Sequence, residues 1–166
     1  MENKYPIYII SKGRYDNPLT ARALDLCNIQ YKIVVEPIEY TNYLRVIDKN
    51  KIIVTPENFS EKGQGSIPVR NFVWDHSIKN NHSSHWLLDD NIMKFMRLNN
   101  NKRIQCRSRL IFRIVEDFVD RYENIGIAGL NYQNFAHDRV KIPPFRINTV
   151  GGVVVCGFHS FFKTIP

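Results

Sequence analysis

Three short apolar runs constrain this chain most, because none of them alternates. Trp86–Leu88 is unbroken, Tyr5–Ile10 (Tyr-Pro-Ile-Tyr-Ile-Ile) is apolar and β-branched, and Tyr31–Val35 is broken only by Lys32. A strand with one face in water alternates polar and apolar residues, so these strands should be covered on both faces, as in a parallel α/β sheet. Segments of helical pattern separate them. Asn17-Pro18 reads as a cap with proline in the first turn, followed by a helix over 20–27 that packs Leu19, Ala23, Leu24 and Cys27 inward. The second run stops at Glu36-Pro37, since proline cannot continue a central ladder. A short helix over 39–47 through Tyr43, Leu44 and Ile47, then a strand over 51–54, complete a β-α-β-α-β unit. The predicted fold is α/β, a mostly parallel sheet with right-handed crossovers and helices on both faces.

Residues 56–65 are polar, carry Gly63 and Gly65, and read as a mobile loop at the ligand end of the sheet. Ser66 then caps a helix with Pro68 in its first turn and an inward stripe of Val69, Phe72, Val73 and Ile78. Arg70 and Asn71 lie near its start, the end that attracts anions. The run Trp86–Leu88 ends in Asp89-Asp90-Asn91. Open α/β sheets bind ligands beyond the carboxyl ends of their strands, where this tripeptide falls. Two adjacent carboxylates repel each other, and a cation between them relieves the repulsion. A divalent metal carrying a diphosphate suits that position; the plain alternative is a solvated loop or a helix cap.

Downstream, residues 92–98 read as a strand leaving the site. Lys94, Arg97, Lys102, Arg103, Arg107, Arg109 and Arg113 follow with no acidic residue between Asn91 and Val115. Such a stripe suits a phosphate backbone or a solvated face. It adds to a net charge of +7 that favours a polyanionic partner. A helix over 109–122 with Leu110, Ile111, Ile114, Val115, Phe118, Val119 and Tyr122 inward, a buried strand at 126–130 and a terminal strand within 150–162 complete the expected elements. His82 and His85 have a spacing that chelates zinc only on a helix, and they precede a strand instead. Cys27, Cys106 and Cys156 are odd in number and widely spaced, which points to a reducing interior, cytoplasmic compartment. No apolar run reaches the length of a membrane span.

Four motifs stand in order: Tyr8-Ile9-Ile10-Ser11-Lys12-Gly13-Arg14, Val35-Glu36-Pro37, Gly65-Ser66-Ile67-Pro68-Val69-Arg70-Asn71 and Leu88-Asp89-Asp90-Asn91. Together they resemble the TET-associated glycosyltransferases of bacteriophages. The resemblance covers roughly residues 5–148 of a single domain, 1–166; residues 151–166 read as an atypical tail, and a C-terminal truncation stays open. It implies a GT-A-like, Rossmann-like fold, a nucleotide-sugar donor such as a UDP-sugar, and a divalent metal, Mn2+ or Mg2+. It also implies a hydroxymethylated pyrimidine of phage DNA as acceptor, in the host cytoplasm if the gene is a phage's. By the same resemblance Asp89, Asp90 and Asn91 hold the metal, with Asp89 also toward the donor. Arg14 and Glu36 contact base or ribose, and Arg70 and Asn71 face the diphosphate. His137 and Asp138 are candidates for the base that activates the acceptor hydroxyl. A nucleotidyltransferase and a non-catalytic nucleic-acid-binding module remain as alternatives.

Overall fold

The computed structural model describes residues 4–131 and the backbone of 155–158. Strands β1 (Ile7–Ile10), β2 (Lys32–Val35), β3 (Ile52–Val54) and β4 (Ser84–Asp89) run parallel, in the order β3-β2-β1-β4. Beyond β4 the sheet continues through β8 (Val155–Phe158), antiparallel to β4, to β7 (Ile127–Ala128). The terminal strand anticipated within 150–162 is therefore β8. The strand expected at 126–130 is only β7 long.

The missing alternation has the expected cause. Ile7, Ile9, Ile33, Val35, Trp86 and Leu88 point to one face, into a core shared with helices α1 (Leu19–Asp25) and α4 (Leu110–Val119). Tyr8, Ile10, Val34 and Leu87 point to the other, against α3 (Ile67–Lys79). Both faces are thus dry. The chain builds outward from β1 to β2 and β3, then returns through α3 to place β4 on the opposite side of β1. That reversal makes the β1–β4 boundary the topological switch point, where doubly wound folds bind ligands.

Several local expectations are corrected. The helix expected over 39–47 is a turn of 3-10 helix at Pro37–Glu39 running into the single turn α2 (Tyr40–Tyr43), with Tyr43 and Ile47 buried but Leu44 exposed. The helix start at Asn17 is not capped by its side chain, which instead accepts from Arg22. In α3 only Val73 and Ser77 are fully buried, and Ile78 lies outside. The polar stretch 56–65 is pinned: Phe59 is buried, and Ser60 is bonded to Glu36. Residues 92–98 do not form one strand. They lead into a hairpin of β5 (Met96–Asn99) and β6 (Lys102–Gln105), a sheet of its own. Helix α4 ends at Val119, short of the expected 122; Ile111 and Val119 are buried as expected, but Leu110 and Ile114 are 57% and 67% exposed, Tyr122 beyond its end is exposed too, and Phe112 and Glu116 are buried instead. The reason is Trp86, whose ring meets Phe112 edge-on at 5.0 Å and whose indole N–H donates to Glu116 Oε1 at 2.8 Å. Among the described residues no helix is long and apolar enough to cross a membrane.

Candidate active site

The register Ile10↔Asp89 brings the carboxyl ends of β1 and β4 side by side. Everything that follows β1, Ser11 to Arg14, therefore faces everything that follows β4. Asp90 is the meeting point. Its Oδ2 accepts from Ser11 Oγ at 3.0 Å and from the Lys12 backbone N–H at 3.3 Å, and its Oδ1 accepts from Arg14 Nε at 2.9 Å. Asp89 turns the other way, accepting from Arg70 Nη2 at 3.0 Å, and Arg70 Nε donates to Ser66 Oγ at 3.1 Å. Ser66 accordingly does not cap α3 with its side chain; it steers the arginine.

Each acid of the pair thus has an arginine partner, one from the β1 loop and one from the first turns of α3. Burial pushes the Asp89 carboxyl up from its usual range, Arg70 pulls it back, and neighbouring Asp90 adds to the rise. The expected cation lies between the two acids; here the chain's own guanidinium groups flank them, one on each.

The turn that presents the acids is fixed from α1. The Thr20 hydroxyl donates to Asp89 O at 2.6 Å and accepts from Ile92 N–H at 2.9 Å, so one buried side chain satisfies both ends of the turn. Behind Ser11 the Tyr43 hydroxyl, fully buried, meets Ser11 Oγ at 2.6 Å and accepts from Arg14 N–H at 3.2 Å. Gly13 sits at φ +68°, a left-handed conformation that favours glycine, and its N–H donates to Glu39 Oε1 at 2.6 Å. The second Glu39 oxygen is buried with no hydrogen-bond partner among the described residues, and burial raises this carboxyl's pKa. None of Ser11, Thr20, Glu39 and Tyr43 is assigned a role at the site by the sequence. A signal existed for two of them: Glu39 and Tyr43 are four residues apart, so a helical turn puts both on one face.

The other expected residues scatter. Glu36, at the end of β2, is buried with its carboxylate accepting from Ser60 N–H at 2.7 Å and Ser60 Oγ at 2.5 Å. In this conformation it holds the 59–62 turn one strand away from the acid pair. Asn71 is exposed on α3 next to Arg70, and Asn91 is exposed after Asp90. His137 and Asp138 lie outside the described residues. His85, expected ahead of the strand, is inside β4 and buried, edge-on to Tyr8 and Trp74 at 5.8 and 5.5 Å.

Among the described residues no three His, Cys, Asp or Glu side chains converge on a common point. Magnesium-type sites seldom need that, since they use one or two carboxylates and complete their shell with substrate phosphates and water. Asp89 and Asp90, with the Asn91 amide following, are hard oxygen donors of the type such an ion takes, although here the two acids turn apart and each accepts from an arginine.

Comparison with known proteins agrees on the class. No curated protein and no solved structure matches the chain. A family model described as TET-Associated Glycosyltransferase matches residues 5–164, past residue 148 and through most of the segment expected as an atypical tail, including β8. With an α/β sheet whose β1 and β4 loops meet at a switch point and nearly the whole length matched, the chain belongs to the TET-associated glycosyltransferase family.

Proposed function

We propose that this glycosyltransferase moves a sugar from a nucleoside diphosphate, UDP being the first choice, to the hydroxymethyl group of a modified pyrimidine in bacteriophage DNA. The observation that carries the donor half is the convergence of Arg14 and Arg70 on the Asp89–Asp90 pair at the β1–β4 switch point. In the reaction the bond between the anomeric carbon and the diphosphate oxygen breaks and a bond to the acceptor oxygen forms. The acceptor proton passes to a base, for which His137 and Asp138 are the candidates. Negative charge grows on the departing diphosphate, and fixed positive groups aimed there lower the barrier most.

Arg70 and Arg14 are those groups. Each is held at one end by a carboxylate and keeps further N–H donors for phosphate oxygens. When bound, Mn2+ or Mg2+ at Asp89, Asp90 and Asn91 supplies charge neutralisation for the leaving diphosphate. Asn71, exposed beside Arg70 on α3, is placed to add an amide N–H. Glu36 reaches ribose or base only by giving up Ser60, so its assigned role requires the 59–62 turn to shift on binding. The acceptor half rests on the basic stripe from Lys94 to Arg113.

Calorimetry with UDP, with and without manganese, tests the donor half and needs no acceptor. The full chain should bind UDP more tightly with the metal. Asp90→Ala should weaken that binding by about tenfold or more, since a charge-assisted contact set is lost, and leave DNA affinity largely intact. Unchanged UDP binding in the variant would remove the acid pair from the donor site.

A further inference from the structure

Six residues after Asp90 the chain leaves the globular body as the β5–β6 hairpin. Its root is firmly set. Ile92 N–H is tied to Thr20, Phe95 is buried against Phe112 at 5.3 Å between ring centroids, and Cys106 N–H donates to Phe95 O at 3.0 Å. The ribbon itself is not covered: every residue of β6 is exposed, and so is every residue of β5 except the half-buried Met96. An uncovered two-stranded ribbon is marginal in water and gains most from a partner.

The cross-strand register places Met96, Leu98, Arg103 and Gln105 on one face and Arg97, Asn99, Lys102 and Ile104 on the other. Each face therefore sets an arginine directly opposite an aliphatic side chain, Leu98 with Arg103 and Ile104 with Arg97. Leu98 and Ile104 are 47% and 37% exposed. The turn between the strands is tight: Asn100 and Asn101 both have positive φ, 48° and 60°, as in the hairpin turns that follow strand twist.

We propose that this ribbon enters the major groove of duplex DNA beside the target pyrimidine. The assignment rests on the DNA-glycosylating function proposed above and names the element that finds the acceptor. Four features favour it. The hairpin is a two-stranded ribbon of four residues per strand with its strands about 5 Å apart, and the major groove, about 12 Å wide, admits a two-stranded β-ribbon. Arg, Lys, Asn and Gln on the ribbon match base-edge and phosphate acceptors, and its aliphatic groups suit pyrimidine C5 substituents. The C5 position of a pyrimidine faces the major groove, so a hydroxymethyl group there lies on the side the ribbon enters. The ribbon also grows from the strand end that carries Asp89 and Asp90, which keeps groove contact and donor chemistry together.

The test is fluorescence-anisotropy titration of the full chain with a hydroxymethylated duplex, the same oligonucleotide single-stranded, and anionic phosphatidylserine vesicles, over a series of salt concentrations. Arg97→Gln, Arg103→Gln and their combination are compared with the parent, and calorimetric UDP binding in each variant checks the fold. The expected result is duplex binding tighter than single-strand binding, displaced by methyl green in the major groove and not by netropsin in the minor groove. Each single change should weaken duplex binding by about tenfold and lower the salt slope by about 1. Duplex affinity unaltered in the double variant overturns the assignment, as does a preference for single strands. Tighter binding to vesicles than to duplex, lost in the double variant, overturns it in favour of a membrane face. A parent chain that fails to bind UDP yet binds duplex through Arg97 and Arg103 upholds the ribbon and removes the donor reading instead.

Discussion

Asp90 is held by three donors from one loop, and that loop is held in turn by the Tyr43 hydroxyl. The order matters, because a carboxylate that is to face a diphosphate and a metal must keep one rotamer. Tyr43 is not itself an expected ligand contact, so its effect on binding passes through Ser11 and Arg14, which it touches. Tyr43→Phe removes one hydroxyl from a fully buried site and leaves Ser11 Oγ and Arg14 N–H without that partner. The expected cost is about 1–3 kcal/mol in unfolding free energy, measured by denaturant titration, together with a several-fold rise in the UDP dissociation constant. Ser11→Ala in the Tyr43→Phe background should then add little to the second effect, because the two hydroxyls act in series. Additive losses would show that Tyr43 stabilises the fold without aiming Asp90.

At the scale of elements, the β4 exit is joined to α1 through Thr20 alone among the side-chain contacts described for that turn. Thr20→Val keeps the shape and deletes the oxygen, leaving a part-buried carbonyl and a part-buried N–H without that partner. A loss of about 1–3 kcal/mol follows. Hydrogen exchange should speed selectively at Ile92 N–H, with β1 and β2 amides unchanged, and uniform acceleration would place the effect elsewhere. Such joints explain what was legible in the sequence. Non-alternating runs exposed the two-sided sheet, and the strand-end acids and the Arg70 helix start were found because each is a local pattern. Thr20 and Ser11 were not, since a small hydroxyl shows its role only when strands distant in the chain become neighbours. The hairpin was missed for a different reason. Its turn is built from Asn100 and Asn101 instead of the commoner Asn-Gly, and its second strand opens on two consecutive cations, Lys102 and Arg103, which hides the return of the strand read at 92–98. On α4 the period was right and Ile111, Val115 and Val119 face the core as expected, but the stripe is turned to take in Phe112 and Glu116, because Glu116 looks like a surface residue until Trp86 offers its N–H.

For the whole molecule, that same Glu116 links stability to pH. It is 2% exposed, on the face where α4 closes over β4, and it accepts from the Trp86 indole and the Tyr5 backbone N–H. Burial raises its carboxyl above the ordinary 4.5, more than these two donors lower it. The folded chain therefore binds this proton more tightly than the unfolded chain, and between the two pKa values the folded state carries more protons. Stability must then fall as pH rises from about 4.5 through the raised value, and level off above it. Asp89 and Glu39, also raised, contribute with the same sign at the site. A difference measurement isolates Glu116. Glu116→Gln keeps an acceptor for Trp86 but cannot ionise, so thermal melts of parent and variant across a pH series should diverge. The parent should lose stability relative to the variant as pH rises from 4.5 toward neutrality, and the gap should then stay constant. A constant gap across the whole series would mean that Glu116 ionises in the folded chain as it does in the unfolded one. Glu116→Leu separates the hydrogen bond from the charge: it shares the pH behaviour of the glutamine variant but leaves the Trp86 N–H unpaired, at a cost of about 1–3 kcal/mol. Because Trp86 lies in the strand that ends in Asp89 and Asp90, the glutamine variant should retain UDP binding while the leucine variant weakens it, tying the sheet's interior to the chemistry at its edge.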